Sequence, residues 1–116
     1  MTLHKKILNC LKDADIKVYP PGVKKGICTF PYVVLEQAQA VAEKPHKSDK
    51  IIFNITALAP VGSYSDFLTL IENVRDAMSY LHPEIKFSLI DNEFIDKNFI
   101  AYSTAIKFFA LKRTNV

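Results

Sequence analysis

Leu3, Ile7, Leu11 and Ala14, with Cys10 beside Leu11, recur at helical spacing near the start of the chain, and Lys5, Lys6, Asn9, Lys12 and Asp13 fill the positions between. A period near 3.6 with one apolar stripe predicts an amphipathic helix over residues 3 to 14. Ile16-Lys17-Val18-Tyr19 alternates as a short strand, and Pro20-Pro21-Gly22 ends it, because proline has no ladder donor and glycine opens a turn. After a loop through Lys24-Lys25-Gly26, the segment Ile27 to Ala38 is rich in β-branched and aromatic residues and predicts a strand from about Tyr32. Residues 40 to 49 are polar and form a connector. From Lys50 to Leu58 alternation returns, with Ile51, Phe53, Ile55 and Ala57 on one face and Ile52, Asn54, Thr56 and Leu58 on the other. Two strands joined by such a connector predict an antiparallel hairpin whose arm is longer than a tight turn needs.

Ala59-Pro60-Val61-Gly62 is expected to break that strand, and Ser63 followed by Asp66 predicts a capping box with a shorter acid than usual. Phe67, Leu70, Ile71, Val74, Met78 and Leu81 then mark the stripe of the main helix, which His82-Pro83 stops, since a residue before proline disfavours the α region. A fourth strand is expected from Glu84 to Ile90, with Ile85, Phe87 and Leu89 against Glu84, Lys86 and Ser88. Asp91 to Phe99 is read as a polar, acidic connector. The last strand runs from Ile100 to about Leu111, with Tyr102, Thr104, Ile106, Phe108 and Ala110 opposed to Ser103, Ala105, Lys107, Phe109 and Leu111, and residues 112 to 116 form a frayed tail.

These elements predict the α+β class: a single antiparallel or mixed β-sheet with two helices packed on one face. At 116 residues the chain, from 1 to 116, is expected to be one domain. Helices on one side leave the other face of the sheet in question. Ile52, Leu58, Phe109 and Leu111 fall on one face of their strands, and an apolar patch left at a surface usually marks a protein contact.

A hydrophobic fraction of 49% and a charged fraction of 23% place the chain among folded proteins. No apolar run reaches the length of a membrane span, and the start leads into a helix rather than a signal peptide's apolar core, so a cytosolic site of synthesis is expected. Residues 1 to 50 hold nine Lys and five acids, while residues 51 to 116 hold six Lys or Arg and seven acids, giving the net +3. The early lysines are spread over a helix face and loops without an Arg, which fits a solvated surface better than a phosphate grip. A basic nucleic-acid-binding module, with Phe30, Tyr32 and Phe53 as stacking rings, is the competing reading from another class. Cys10 and Cys28 lie in unlike settings and are expected to be buried thiols, with no disulfide required.

Chemistry is sparse. The glycines Gly22, Gly26 and Gly62 form neither phosphate-cradling motif, and no serine sits in a nucleophile elbow. His4, His46 and His82 lack neighbours at metal-ligand spacing. Asp91, Glu93 and Asp96, around Phe94 and Ile95, are the best acidic group, but no nucleophile or further ligand converges on them in sequence. No catalytic residue, cofactor or metal is therefore expected, and a small enzyme of ferredoxin-like shape is the weakest reading.

Thr29-Phe30-Pro31-Tyr32-Val33-Val34-Leu35 after a helix and a Pro-Gly loop, the partner strand Ile51-Ile52-Phe53-Asn54-Ile55, and a central helix followed by two strands together resemble one family. It is the tail terminator, or tail-completion, proteins of tailed bacteriophages and phage-derived elements. The resemblance covers most of the chain as a pattern of elements. It implies a non-enzymatic homo-oligomer, a hexameric ring, that caps the head-proximal end of the tail tube in the virion. The ring would meet the tail tube protein on one side and the head-tail connector on the other; a connector or stopper protein is the neighbouring reading. Ring contacts are expected in residues 40 to 49 and 91 to 98 and on the sheet surface: Lys44, His46, Lys47, Ile52, Asp91, Glu93, Phe94 and Asp96.

Overall fold

A computed structural model describes residues 2–37, 41–42 and 48–113. The first helix, α1 (Leu3–Asp13), buries Ile7 and Leu11, the positions at the centre of its apolar stripe. Its start is set by Thr2, whose extended backbone (φ −71°, ψ 158°) lets the hydroxyl accept the Lys5 N–H at 3.2 Å. The main helix, α2 (Tyr64–Ser79), buries Phe67, Leu70, Val74, Ala77 and Met78. Here the expected capping box does not form. Ser63 is the residue before the helix, but with φ −114° and ψ 50° it leaves the extended region, and its side chain makes no cap hydrogen bond. The Thr2→Ala substitution is accordingly expected to cost about 1 kcal/mol, while Ser63→Ala should stay within about 0.5 kcal/mol of the native protein. Urea titrations of the two variants check this; equal losses would contradict the caps described.

Between and after the helices run β1 (Val18–Tyr19), β2 (Tyr32–Gln37), β3 (Val41–Ala42), β4 (Ser48–Pro60), β5 (Lys86–Ile90), β6 (Phe94–Asp96) and β7 (Ala101–Arg113). They form one mixed sheet in the order β1-β2-β4-β7-β5, with β3 also on β4 and β6 also on β7. Only β1 and β2 are parallel; β2 meets β4 antiparallel, with Val33 opposite Ala57, and β4 meets β7 antiparallel, with Phe53 opposite Phe108. The expected hairpin is thus present, and β3 extends it toward residues 43–47.

Both helices pack on one face. Ile7, Leu11, Phe67, Val74 and Met78 meet Val33, Leu35, Phe53, Ile55, Ala57, Ile106 and Phe108 in the main core. The alternation in β4 and β7 therefore reads out correctly along most of their length, where each strand has neighbours on both sides and a single covered face. Both strands are 13 residues long. At about 3.3 Å per residue they span about 43 Å, most of the molecule's long dimension of 51 Å. Their far ends pass the last buried positions, Ile51 and Ala110, as a three-stranded arm with β3.

Four local expectations are corrected. β4 runs through Pro60, paired with Ala101, rather than breaking at Ala59, since a proline at the terminal pair forfeits at most one ladder donor. β7 continues through Lys112 and Arg113, which pair with Asp49 and Ser48, so the tail begins later than expected.

β5 is not a half-buried strand. Its register slips between Phe87 and Leu89, so Phe87 pairs with Phe108 on the helix face while Leu89 pairs with Lys107 on the other. Ser88 is the extra residue, and every residue from Lys86 to Ile90 is exposed. Finally, the connector after Ile90 is not a free loop. The Asp91 N–H donates to the Ala105 carbonyl at 2.9 Å, and β6 then pairs Phe94 with Ser103 and Asp96 with Ala101. β5 and β6 together make one interrupted edge along β7.

Candidate assembly surface

The face of the sheet turned away from the helices carries Val34 and Glu36 from β2, Ile52, Asn54, Thr56 and Leu58 from β4, and Ala105, Lys107, Phe109 and Leu111 from β7. At the end nearest β1 it is covered. The loop from Pro20 to Pro31 lies there, and Cys28, Tyr32, Leu58 and Ala101 form a second, smaller core with Tyr19, Phe30, Val34 and Phe99 around it. The face left in question by the sequence is thus covered in part, because strand alternation alone cannot show where a loop will fold back. Over the remaining part no helix or strand of the described residues packs.

That remaining surface is mixed. Ile52 lies opposite Phe109, and the Lys50 ammonium stands 4.9 Å from the Phe109 ring centroid. Between Glu36 and Lys107 in the cross-strand register sits Asn54. Its Oδ1 is buried and meets no hydrogen-bond donor, a condition that costs about 1–3 kcal/mol where it persists. The edge beside this face is apolar as well: Leu89 is 45% exposed, Phe94 56% and Ile95 54%. An exposed strand edge presents unpaired backbone groups as a template for another chain.

The acidic residues do not act as a group. The Asp91 carboxylate stands 3.5 Å from Lys107 Nζ, and the Asp91 carbonyl accepts the Thr104 hydroxyl at 2.7 Å. Glu93 accepts the Tyr64 hydroxyl, tying the edge to the start of α2, and this hydrogen bond to the carboxylate raises the phenol above its ordinary pKa. Asp96 Oδ1 accepts the N–H groups of Asn98 at 2.9 Å and Phe99 at 3.2 Å, which closes the turn before β7. Each carboxylate thus has a separate partner, Lys107 on β7, Tyr64 on α2 or the turn after Asp96, and no group of three or more His, Cys, Asp or Glu among the described residues could hold a metal.

Of the sequence candidates, Ile52 and Phe94 do share the helix-free face. Their partners on β7, Phe109 and Ser103, are six positions apart, so they stand about 20 Å from one another. Lys44, His46 and Lys47 lie outside the described residues. Sequence reading missed the exposed edge residues Phe87, Ile90 and Ile95. The signal was present in Phe94-Ile95, an apolar pair inside an acidic stretch, which a solvated loop does not need.

The other readings find little support in the geometry. Tyr32 is 2% exposed and Phe53 is inaccessible, so neither can stack a base. A groove of about 560 Å³ runs between α1 and the end of α2, lined in part by Lys6, Cys10, Asp13 and Tyr80. Lys6 is engaged by Glu84 at 2.9 Å, and the half-buried Cys10 thiol donates to the Ala77 carbonyl at 2.9 Å. Burial first, and the Asp13 charge second, raise the Cys10 pKa, which keeps it in the unreactive protonated form. Cys28 is buried and also unpaired with another cysteine. No helix among the described residues is long and apolar enough to cross a membrane.

No known family model matches this chain, and no curated protein matches it.

Proposed function

We propose that the chain is a non-catalytic structural subunit of a phage-type tail, a tail terminator that closes into a ring and caps the tail tube. The observation that carries this reading is a sheet with one helix-covered face, a partly apolar helix-free face, and two unlike edges. The β5/β6 edge is exposed and apolar, whereas the opposite edge ends in the two-residue β1. A head-to-tail contact needs two different patches, and it closes into a ring when the rotation between subunits divides a full turn. The arm formed by β3 and the ends of β4 and β7 gives a further projection by which one subunit can reach the next.

Static light scattering across a concentration series, with negative-stain images, tests the reading. The expected result is a discrete ring-sized species, formed by the protein alone or on adding tail tube protein. A monomer at every concentration that also fails to ring with tail tube protein would count decisively against it.

A further inference from the structure

Tyr19, Phe30 and Tyr32 surround the Lys24 ammonium, and the Phe30 ring also lies 5.6 Å from Lys17 Nζ. Lys24 Nζ lies 4.7 Å from the Phe30 ring centroid, 5.3 Å from Tyr19 and 5.6 Å from Tyr32, each within the roughly 6 Å over which a cation is attracted to a ring face. Tyr19 and Tyr32 meet edge to face at 5.5 Å, and Phe30 is tilted against Tyr32 at 5.7 Å, so the rings are held against one another as well as around the cation. Parallel pairing of β1 with β2 positions Tyr19 and Tyr32 from the backbone, independently of Lys24. Two of the three rings are therefore placed by the sheet, Phe30 being part of the loop itself, and Lys24 ties the loop to them.

The loop that carries Lys24 has little else to hold its middle. Its backbone bonds are Val23 N–H to the Pro20 carbonyl at 3.4 Å, within the loop, and Cys28 N–H to the Phe99 carbonyl at 2.8 Å, at its far end. Val23 and Ile27, the apolar residues on either side of Lys24, are 58% and 63% exposed and bury little. Gly22 (φ 83°) and Gly26 (φ 81°) bracket the lysine in the left-handed region, where most residues are strained. Beneath the loop lie Tyr32, Leu58 and Ala101, and Cys28, near the loop's far end, packs on them.

We propose that residues 20–31 form a strap fastened by Lys24 in its aromatic cage, and that the strap opens when the positive charge at this position is lost or drawn away. Opening uncovers the apolar end of the helix-free sheet face and lifts Cys28, 4% exposed in the closed strap, away from Tyr32, Leu58 and Ala101. The strap is independent of ring formation, since every contact that defines it lies within one chain.

Labelling with iodoacetamide, resolved by peptide mass spectrometry, reads the opening at Cys28 and uses Cys10, on α1, as an internal control. Lys24→Met keeps the length of the side chain and removes its charge, and it should speed Cys28 labelling by about tenfold, the factor to which about 1.4 kcal/mol corresponds. Lys24→Arg keeps a cation over the rings and should label within about twofold of the native rate. Cys10 labelling should be unchanged in both. Native-rate labelling of Cys28 in Lys24→Met would overturn the proposal. So would labelling of Lys24→Arg as fast as Lys24→Met, or an equal acceleration at Cys10, which would mean general loosening instead of strap opening.

Discussion

Phe53→Ala is expected to lower the free energy of unfolding by about 3–5 kcal/mol, the largest single loss of stability among the substitutions considered. Phe53 is inaccessible, sits in the middle of β4, and faces Phe108 across the ladder within the core that both helices cover. Truncation removes apolar contact and leaves a cavity that long strands paired on both sides cannot collapse to fill. A domain of this size is stable by only about 5–15 kcal/mol, so the variant should sit close to the edge of folding. In a urea titration the midpoint should fall steeply at an unchanged slope. Ile55→Val, on the same face two residues on and equally buried, provides the comparison at about 0.5–1.5 kcal/mol. Similar losses for both would mean that Phe53 is not the packing centre described.

Ile52→Asp should have the opposite profile: little effect on the subunit and a large one on assembly. Ile52 is half-buried on the helix-free face, opposite Phe109. An aspartate there remains partly solvated in an isolated subunit, so its melting curve should stay close to the native one. Within a subunit contact the same carboxylate would be buried without a partner, which costs about 3–5 kcal/mol, or a factor of roughly 10² to 10⁴ in each contact's dissociation constant. A ring multiplies that penalty by its number of contacts. Light scattering should therefore show monomer under conditions where the proposed ring of the native protein forms, with unchanged circular dichroism. If Ile52→Asp assembles at native concentrations, the helix-free face is not the contact and the exposed β5/β6 edge takes its place as the next surface to test.

The contrast between the two positions shows how much was legible in the chain. Phe53 and Ile52 are neighbours, and alternation alone assigned them to opposite faces. That assignment needs only the period of an extended strand, which is a local property. The same holds for Phe67, Leu70, Val74 and Met78 on α2. Alternation failed in β5, where Ser88 is an extra residue, because a register slip is fixed by the strand alongside and not by the strand itself. It failed again after Ile90, where a run containing Asp91, Glu93 and Asp96 has the composition of a loop and yet pairs with β7, since β7 had a free side to offer. Of the candidate contacts, Ile52 and Phe94 emerge on one face, while Asp91 meets Lys107 on β7, Glu93 meets Tyr64 on α2 and Asp96 binds its own backbone.

By itself the sequence determined the helices, the core faces of the long strands, the β2–β4 hairpin and the α+β class, because periodicity and proline placement act over a few residues. Only the tertiary structure decided which surfaces stay uncovered. The Pro20–Pro31 loop folds over one end of the helix-free face, Lys24 enters a cage whose rings come from β1, β2 and the loop, and β5 with β6 becomes an open edge. Each of these depends on residues that are distant in the chain meeting in space, and no local pattern encodes such a meeting.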